Sequence, residues 1–249
     1  MHPEIAERLL TLNRLFYQTF ALQFSATRGR LQSGVQRLLG RLEGGERILD
    51  LGCGNGELAQ ALKRRGHRGS YLGLDNSPGL LEEARRRAGE AASSGLRFLQ
   101  ADLSAAGWEQ ALAAGPQGET PARFDLVFAF AVLHHLPGGE LRLSIARKAH
   151  ALLAPGGRFF LSNWQFLNSP RLRGRIQPWE QAGLSPEQVE PGDYLLDWRG
   201  GGQGLRYVHH FDAAELEALA GEAGFRVEES FYSDGESGNL GLYQVWKRV

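Results

Sequence analysis

Apolar residues at positions 5, 9, 12, 15, 16 and 20 fall on a helical period, which predicts a helix over 4–22. Leu31, Val35, Leu38, Leu39 and Leu42 repeat the pattern and predict a second helix over 30–42. The period then changes. Short apolar runs of strand length, at about 47–51, 69–74, 95–100, 123–130 and 156–165, alternate with helical segments at about 57–65, 79–89, 104–114 and 139–153. Strands that alternate with helices predict an α/β, doubly wound parallel sheet. Ala154-Pro155-Gly156-Gly157 stops the last of these helices and turns the chain into the fifth strand.

Beyond that strand the regularity breaks. Residues 166–206 contain Pro170, Pro178, Pro186, Pro191 and seven glycines, and no long helix or strand is predicted there. So long a connection in a compact domain is usually functional. It is expected to form a lid over the carboxyl ends of the strands, where open α/β sheets bind ligands. Order returns with a helix over about 212–222, capped by Asp212 and ended by Gly224, and with closing strands at about 225–232 and 240–248. A chain of 249 residues suits one domain. Its parts are N-terminal helices (1–45), a core (46–165), a lid (166–211) and a closing helix and strands (212–249).

Composition narrows the class. Lys plus Arg and Asp plus Glu number 28 each, a balance that disfavours broad non-specific binding to nucleic acid. Only Lys63, Lys148 and Lys247 are lysines, and arginine suits bidentate recognition of carboxylate and phosphate. The single cysteine, Cys53, excludes an internal disulfide and a cysteine-based zinc site, and favours a reducing, cytoplasmic setting. Met1-His2-Pro3-Glu4 is polar and acidic, unlike a secretory signal. The longest apolar run, 124–136, carries Asp125 and is too short to span a bilayer.

The candidate chemistry begins at Ile48-Leu49-Asp50-Leu51-Gly52-Cys53-Gly54-Asn55-Gly56. A buried strand runs into a glycine turn, and a helix opens at Glu57. Glycines let backbone approach a ligand closely, and a helix N-terminus favours an anionic group. The spacing is G-x-G-x-G, not the G-x-G-x-x-G of dinucleotide sites, which disfavours a nicotinamide oxidoreductase. Asp75 closes the second strand, where a carboxylate can accept both hydroxyls of a ribose. Asp102 closes the third, placed either to accept from an adenine amino group or to cap the next helix. His134 and His135 end the fourth strand, and no third ligand at suitable spacing makes them a metal site.

Asp50-Leu51-Gly52-Cys53-Gly54-Asn55-Gly56 resembles the signature loop of class I S-adenosylmethionine (SAM) methyltransferases. The resemblance implies a Rossmann-like seven-stranded sheet, mostly parallel with an antiparallel C-terminal strand. It also implies SAM as cofactor, with S-adenosylhomocysteine as product. The cofactor contacts would be Asp50, Gly52, Cys53, Gly54, Asn55, Gly56, Asp75, Asn76, Asp102, Leu103, Ala129 and Phe130, with His134 or His135 lining the site. Three further segments are Phe24-Ser25-Ala26-Thr27-Arg28, Gly192-Asp193-Tyr194-Leu195-Leu196-Asp197-Trp198 and Leu205-Arg206-Tyr207-Val208-His209-His210-Phe211-Asp212, the last followed by Glu215-Leu216. Together and in this order they resemble the methyltransferases that esterify the 5-carboxymethyl group of wobble uridine in tRNA. Arg28, Asp197, Trp198, Arg206, Tyr207 and His209 match that family's substrate side. Asp197 stands where the family usually has proline, and the glycine-rich 200–204 replaces a more basic stretch. The resemblance further implies tRNA as partner and a small zinc-ribbon activator protein.

The residue set fits such chemistry. A carboxylate, with a pKa near ~4, is ionised at neutral pH and needs a cationic clamp rather than a base. Arg28 and Arg206 are of the right type. Trp164 and Trp198 could stack on an unpaired base or pack under the lid, and Arg171, Arg173 and Arg175 could meet phosphates. Two alternatives stay open: a small-molecule acceptor deprotonated by His209 or His135, and a SAM-binding regulator without catalysis.

Overall fold

A computed structural model of the chain describes residues 1–26, 29–89, 95–112, 123–200 and 202–249, the side chains of 22, 24–26 and 111 aside. Helix α1 (Pro3–Ala26) and the shorter α2 (Ser33–Leu39) come first. β1 (Ile48–Leu51), α3 (Glu57–Arg64), β2 (Tyr71–Asp75), α4 (Pro78–Ala88), β3 (Leu96–Gln100) and β4 (Phe124–Phe130) follow. Next come α5 (Gly139–Leu152), β5 (Leu153–Trp164), α6 (Pro170–Arg173), β6 (Ile176–Gln177), β7 (Asp193–Trp198) and β8 (Gly204–His209). The chain closes with α7 (Ala213–Glu222), β9 (Phe225–Ser233) and β10 (Gly241–Arg248).

Seven strands form one sheet in the order β3-β2-β1-β4-β5-β10-β9. β1 pairs in parallel with both β2 and β4, so the strand order reverses there, and the crevice above their carboxyl ends is the expected ligand position. β10 runs antiparallel to β5 and β9, as the expected sheet requires. Apolar clusters cover both faces of the sheet, one built around Leu49, Leu74, Phe159 and Trp246, the other around Ile48, Tyr71, Phe128 and Phe160. Strands buried on both faces read as continuous apolar runs, which is why they stand out in the sequence. No helix among the described residues is long and apolar enough to cross a membrane.

Three expectations change. The helix expected over 104–114 is a 3-10 turn at Trp108–Leu112, and residues 113–122 lie outside those described. α1 continues past the expected end, with non-helical backbone at Phe20, so Phe24, Ser25 and Ala26 are helical rather than a connection. The 166–206 segment, in which no strand was expected, supplies a second sheet, β6-β7-β8, antiparallel throughout. The reason is again burial on two sides. Leu195 and Tyr207 pack with Leu9 of α1, while Leu196 and Val208 pack with Phe166 and Leu172. Buried on both faces, β7 lacks the polar alternation that marks a half-exposed strand.

Candidate functional site

The turn after β1 is held by its glycines and by Asp75. Gly52 has φ +70°, and a Cβ there would lie 2.6 Å from Val132 Cγ2, so no other residue lets the turn approach the end of β4 so closely. Gly54, at φ +55°, donates its N–H to Asp75 Oδ2 at 2.9 Å, and a Cβ there would meet no protein atom within 4 Å. Asp75 Oδ1 accepts from the Ser77 N–H at 2.8 Å, while the Ser77 hydroxyl caps α4 by accepting from the Leu80 N–H. The first turn of α3 is partly satisfied from within, since Asn55 Oδ1 accepts the Glu57 N–H at 3.3 Å.

Above these turns lies a cavity of about 310 Å³. One wall comes from the strand ends: Asp50, Gly52, Cys53, Gly54 and Asn55 after β1, Asp75 and Asn76 after β2, Asp102 and Leu103 after β3, Phe130 and Ala131 at β4. The other wall is α1 and the start of α2, through Leu10, Asn13, Arg14, Tyr17, Gln18, Arg30 and Gln32. Ten of the twelve residues expected at a cofactor line this cavity; Gly56 and the fully buried Ala129 do not.

Acidic groups crowd the strand-end wall. Asp50 accepts the Tyr71 hydroxyl at 2.6 Å. Burial pushes its pKa up to about 7, against the Tyr71 hydrogen bond and with help from the charge of Asp75. Burial also raises the pKa of Asp75, with the backbone N–H donors of Ser77 and Gly54 opposing it. Asp102 Oδ1 accepts from the Ser104 N–H and hydroxyl, and its Oδ2 faces Asn76 and Arg14, both at 3.4 Å. Asp102 thus caps no helix: one oxygen closes the turn after β3, and the other faces the cavity side between Asn76 and Arg14. A nucleoside carrying a positive charge fits this set of acceptors. Two carboxylates at the ends of adjacent strands stand ready for hydroxyl and amino donors, and further negative charge at Asp50 favours a cation. SAM has these features; a pyrophosphate would meet the same carboxylates at a cost.

The expected substrate-side residues sit elsewhere. Arg28 lies outside the described residues. Arg206 is buried, with its guanidinium carbon 4.7 Å from the Trp164 ring centre, 5.5 Å from Phe16 and 5.7 Å from Trp198. Asp197 pairs with Arg199 at 2.7 Å, not with Arg206, and the Trp198 indole N–H donates to the Gly200 carbonyl. His209 is buried between Asp193, 2.7 Å from Nδ1, and Glu215, 2.8 Å from Nε2. Burial works against its charge, and these two hydrogen bonds outweigh it, holding the pKa above the ordinary value. None of these four lines the cavity. They tie β7 and β8 to each other and to α1 and α7. Arg171 and Arg173 are exposed on α6.

His134 and His135 diverge. His134 is buried behind the site, Nδ1 3.4 Å from Asn163 Oδ1. His135 lines the cavity with Nε2 2.8 Å from the Tyr17 hydroxyl. The sequence reading missed Asn13, Arg14, Tyr17, Gln18, Ser162 and Tyr243, all of which line it. A signal existed for four of them: positions 13, 14, 17 and 18 form a polar face at helical spacing on a helix that is otherwise apolar where it packs.

Comparison with known proteins gives the family and the fold. A family model described as a methyltransferase domain matches residues 24–230. A putative methyltransferase of Encephalitozoon cuniculi is 29% identical, with 88% of this chain and 91% of that one covered. A trans-aconitate 2-methyltransferase of Methylobacterium nodulans is 40% identical over 45% of this chain, a stretch that spans only 35% of that relative. In fold, the chain is similar to a structure described as the complex between the Haloferax volcanii Trm112 methyltransferase activator and a putative methyltransferase, with TM-score 0.61, 17% identity, and 93% and 95% of the two chains covered. The chain belongs to the methyltransferase-domain family and is a class I SAM-dependent methyltransferase.

Proposed function

We propose that the chain transfers the SAM methyl group to a carboxylate, forming an ester, and that this carboxylate is the 5-carboxymethyl group of a wobble uridine in tRNA. One observation carries the first half: the charge of the cavity is divided. Asp50, Glu57, Asp75 and Asp102 all stand on the strand-end and β1–α3 side. Among the described residues, the wall formed by α1 and the start of α2 contributes no Asp or Glu, and it carries Arg30 and Arg14, the latter 3.4 Å from Asp102. An anionic acceptor is repelled from the first side and tolerated on the second. When bound, SAM supplies an electrophilic methyl on a sulfonium. A carboxylate oxygen bonds to that carbon as the carbon–sulfur bond breaks, and the electron pair leaves on the thioether. No proton moves, so the work of the chain is alignment.

Support for the tRNA half is of two kinds. The three substrate-side segments stand in the order of that family, and the first begins within α1, the helix whose Tyr17 and Arg14 line the cavity. A small activator protein belongs to the same reading. The test is tritiated SAM with tRNA that carries carboxymethyl uridine. Label should enter the RNA and be released by mild alkali, as an ester demands. RNA that stays unlabelled under conditions where SAM binds would sink this assignment.

A second reading rests on His135. Its Nε2 lies 2.8 Å from the Tyr17 hydroxyl at the cavity wall, a pair able to take a proton from a hydroxylated small molecule. Turnover by that route needs the neutral ring and falls as the pH is lowered, whereas a carboxylate acceptor gives a flat profile from about pH 6 to 8.

A further inference from the structure

We propose that Asn13 is a positioning residue for the acceptor end of the cavity, acting through Tyr17 and His135. Its side chain is buried and makes three hydrogen bonds to backbone far away in sequence. Oδ1 accepts the Tyr207 N–H at 2.8 Å. Nδ2 donates to the Tyr207 carbonyl at 3.1 Å and to the His135 carbonyl at 3.0 Å. The carboxamide thus pairs with β8 as a neighbouring strand would, and its second N–H reaches the turn after β4. Both N–H groups and the acceptor oxygen are used. Aspartate lacks the donors, leucine lacks everything, and glutamine is one methylene longer.

What these bonds position is visible one turn along α1. Tyr17 follows Asn13 by four residues, on the same face of the helix. Its hydroxyl lies 2.8 Å from His135 Nε2, and His135 Nδ1 lies 3.4 Å from the same Tyr207 carbonyl that Asn13 engages. The imidazole is therefore held from both ends by groups whose spacing Asn13 sets. Asn13, Tyr17 and His135 all line the cavity beside Ala131 and Ser162, at the carboxyl ends of β4 and β5. An acceptor seated at this end would lie against Tyr17 and His135, so a misplacement of that pair would disturb its alignment.

This inference rests on the acceptor end lying at His135, and its test needs no acceptor. With histidine ring nitrogens labelled by 15N and S-adenosylhomocysteine present, Tyr17→Phe gives the His135 signature of a lost hydroxyl partner, assigned with His135→Gln. Asn13→Ala should move the His135 resonances in the same direction, and Asn13→Ala in the Tyr17→Phe background should add little. Asn13→Asp, which keeps the acceptor for the Tyr207 N–H, covers the case in which the alanine variant does not fold. Leu216→Ala, on the buried face of α7, controls for lost stability and should leave the His135 signals in place. Once an acceptor is labelled, kcat should fall about tenfold in Asn13→Ala while affinity for SAM stays within about twofold. His135 signals that coincide with the wild type in folded Asn13 variants would overturn the proposal. Shifted signals without ester formation would leave it standing and defeat the carboxylate reading instead.

Discussion

The two walls of the cavity are built in opposite ways. On the strand-end wall, each contact stands within a few residues of the strand that carries it: Asp50 to Asn55 at β1, Asp75 and Asn76 at β2, Asp102 and Leu103 at β3. On the other wall, Asn13 and Tyr17 come from α1, His135 from the turn after β4, and their common anchor, Tyr207, from a separate sheet. Strand-end chemistry is local, so a short motif specifies it. The contacts of the other wall are assembled by packing over separations of 72 to 194 residues. One wall can therefore stay fixed across a family while the other changes its substrate.

The largest expected effect breaks the local wall. Asp75→Ala removes a carboxylate that props Gly54 and that is expected to take the ribose hydroxyls. Affinity for SAM should fall about 100-fold, as two charge-assisted hydrogen bonds would predict. Titration calorimetry checks this, and an affinity within threefold of the wild type would place the ribose elsewhere.

Second in size is a pH effect on the same wall. The Asp50 pKa is about 7 in the folded chain, against about 3.9 when unfolded. Between those values the folded state holds a proton that the unfolded chain has released, so this group lowers stability as pH rises through the window. A cationic ligand favours the ionised form. SAM affinity should therefore decline as pH is lowered from about 8 to 6, by up to tenfold per unit below about 7. Asp50→Asn should flatten that slope. A slope unchanged in the variant would assign the proton to another group.

How much of this was legible follows from the same contrast. The seven-stranded sheet was readable because its strands are uninterrupted apolar runs between helices, and the glycine turn because its backbone has few substitutes. The second sheet was not. Leu195 and Leu196 face different clusters, so β7 shows no alternation, and prolines around it read as loop. Arg206 and His209 were expected on the substrate side because their segment resembles that of the wobble-uridine family, with arginine also suited to clamp a carboxylate. Type alone does not tell a buried cation under Trp164 and Trp198 from one that faces a ligand. Conversely, Asn13 and Tyr17 passed unnoticed because their partners lie so far along the chain.

A third prediction tests that reassignment. Arg206→Met keeps a stem of similar length and loses the cation among three aromatic rings. Stability should drop by about 1–2 kcal/mol in urea unfolding, and SAM affinity should hold. A large loss of turnover at intact stability would return Arg206 to the acceptor.

The smallest effect is the most local. Ala131 sits at φ +58°, a conformation costly for any residue with a Cβ, at the point where the two walls meet. Its N–H donates to both the Ser162 carbonyl, at 3.0 Å, and the Ser162 hydroxyl, at 3.1 Å, which holds the strained turn in place. Strain of this kind is retained where the surroundings over-determine it, and it collects at functional sites. Glycine would relieve it while adding freedom to the unfolded chain, and the two terms nearly cancel. Ala131→Gly should thus change stability by less than about 0.5 kcal/mol, whereas Ala218→Gly on the exposed face of α7 should cost about 1 kcal/mol. Thermal unfolding of the pair decides it. Equal losses would mean that the backbone at Ala131 carries no strain, and that the end of β4 is shaped by packing against Gly52 alone.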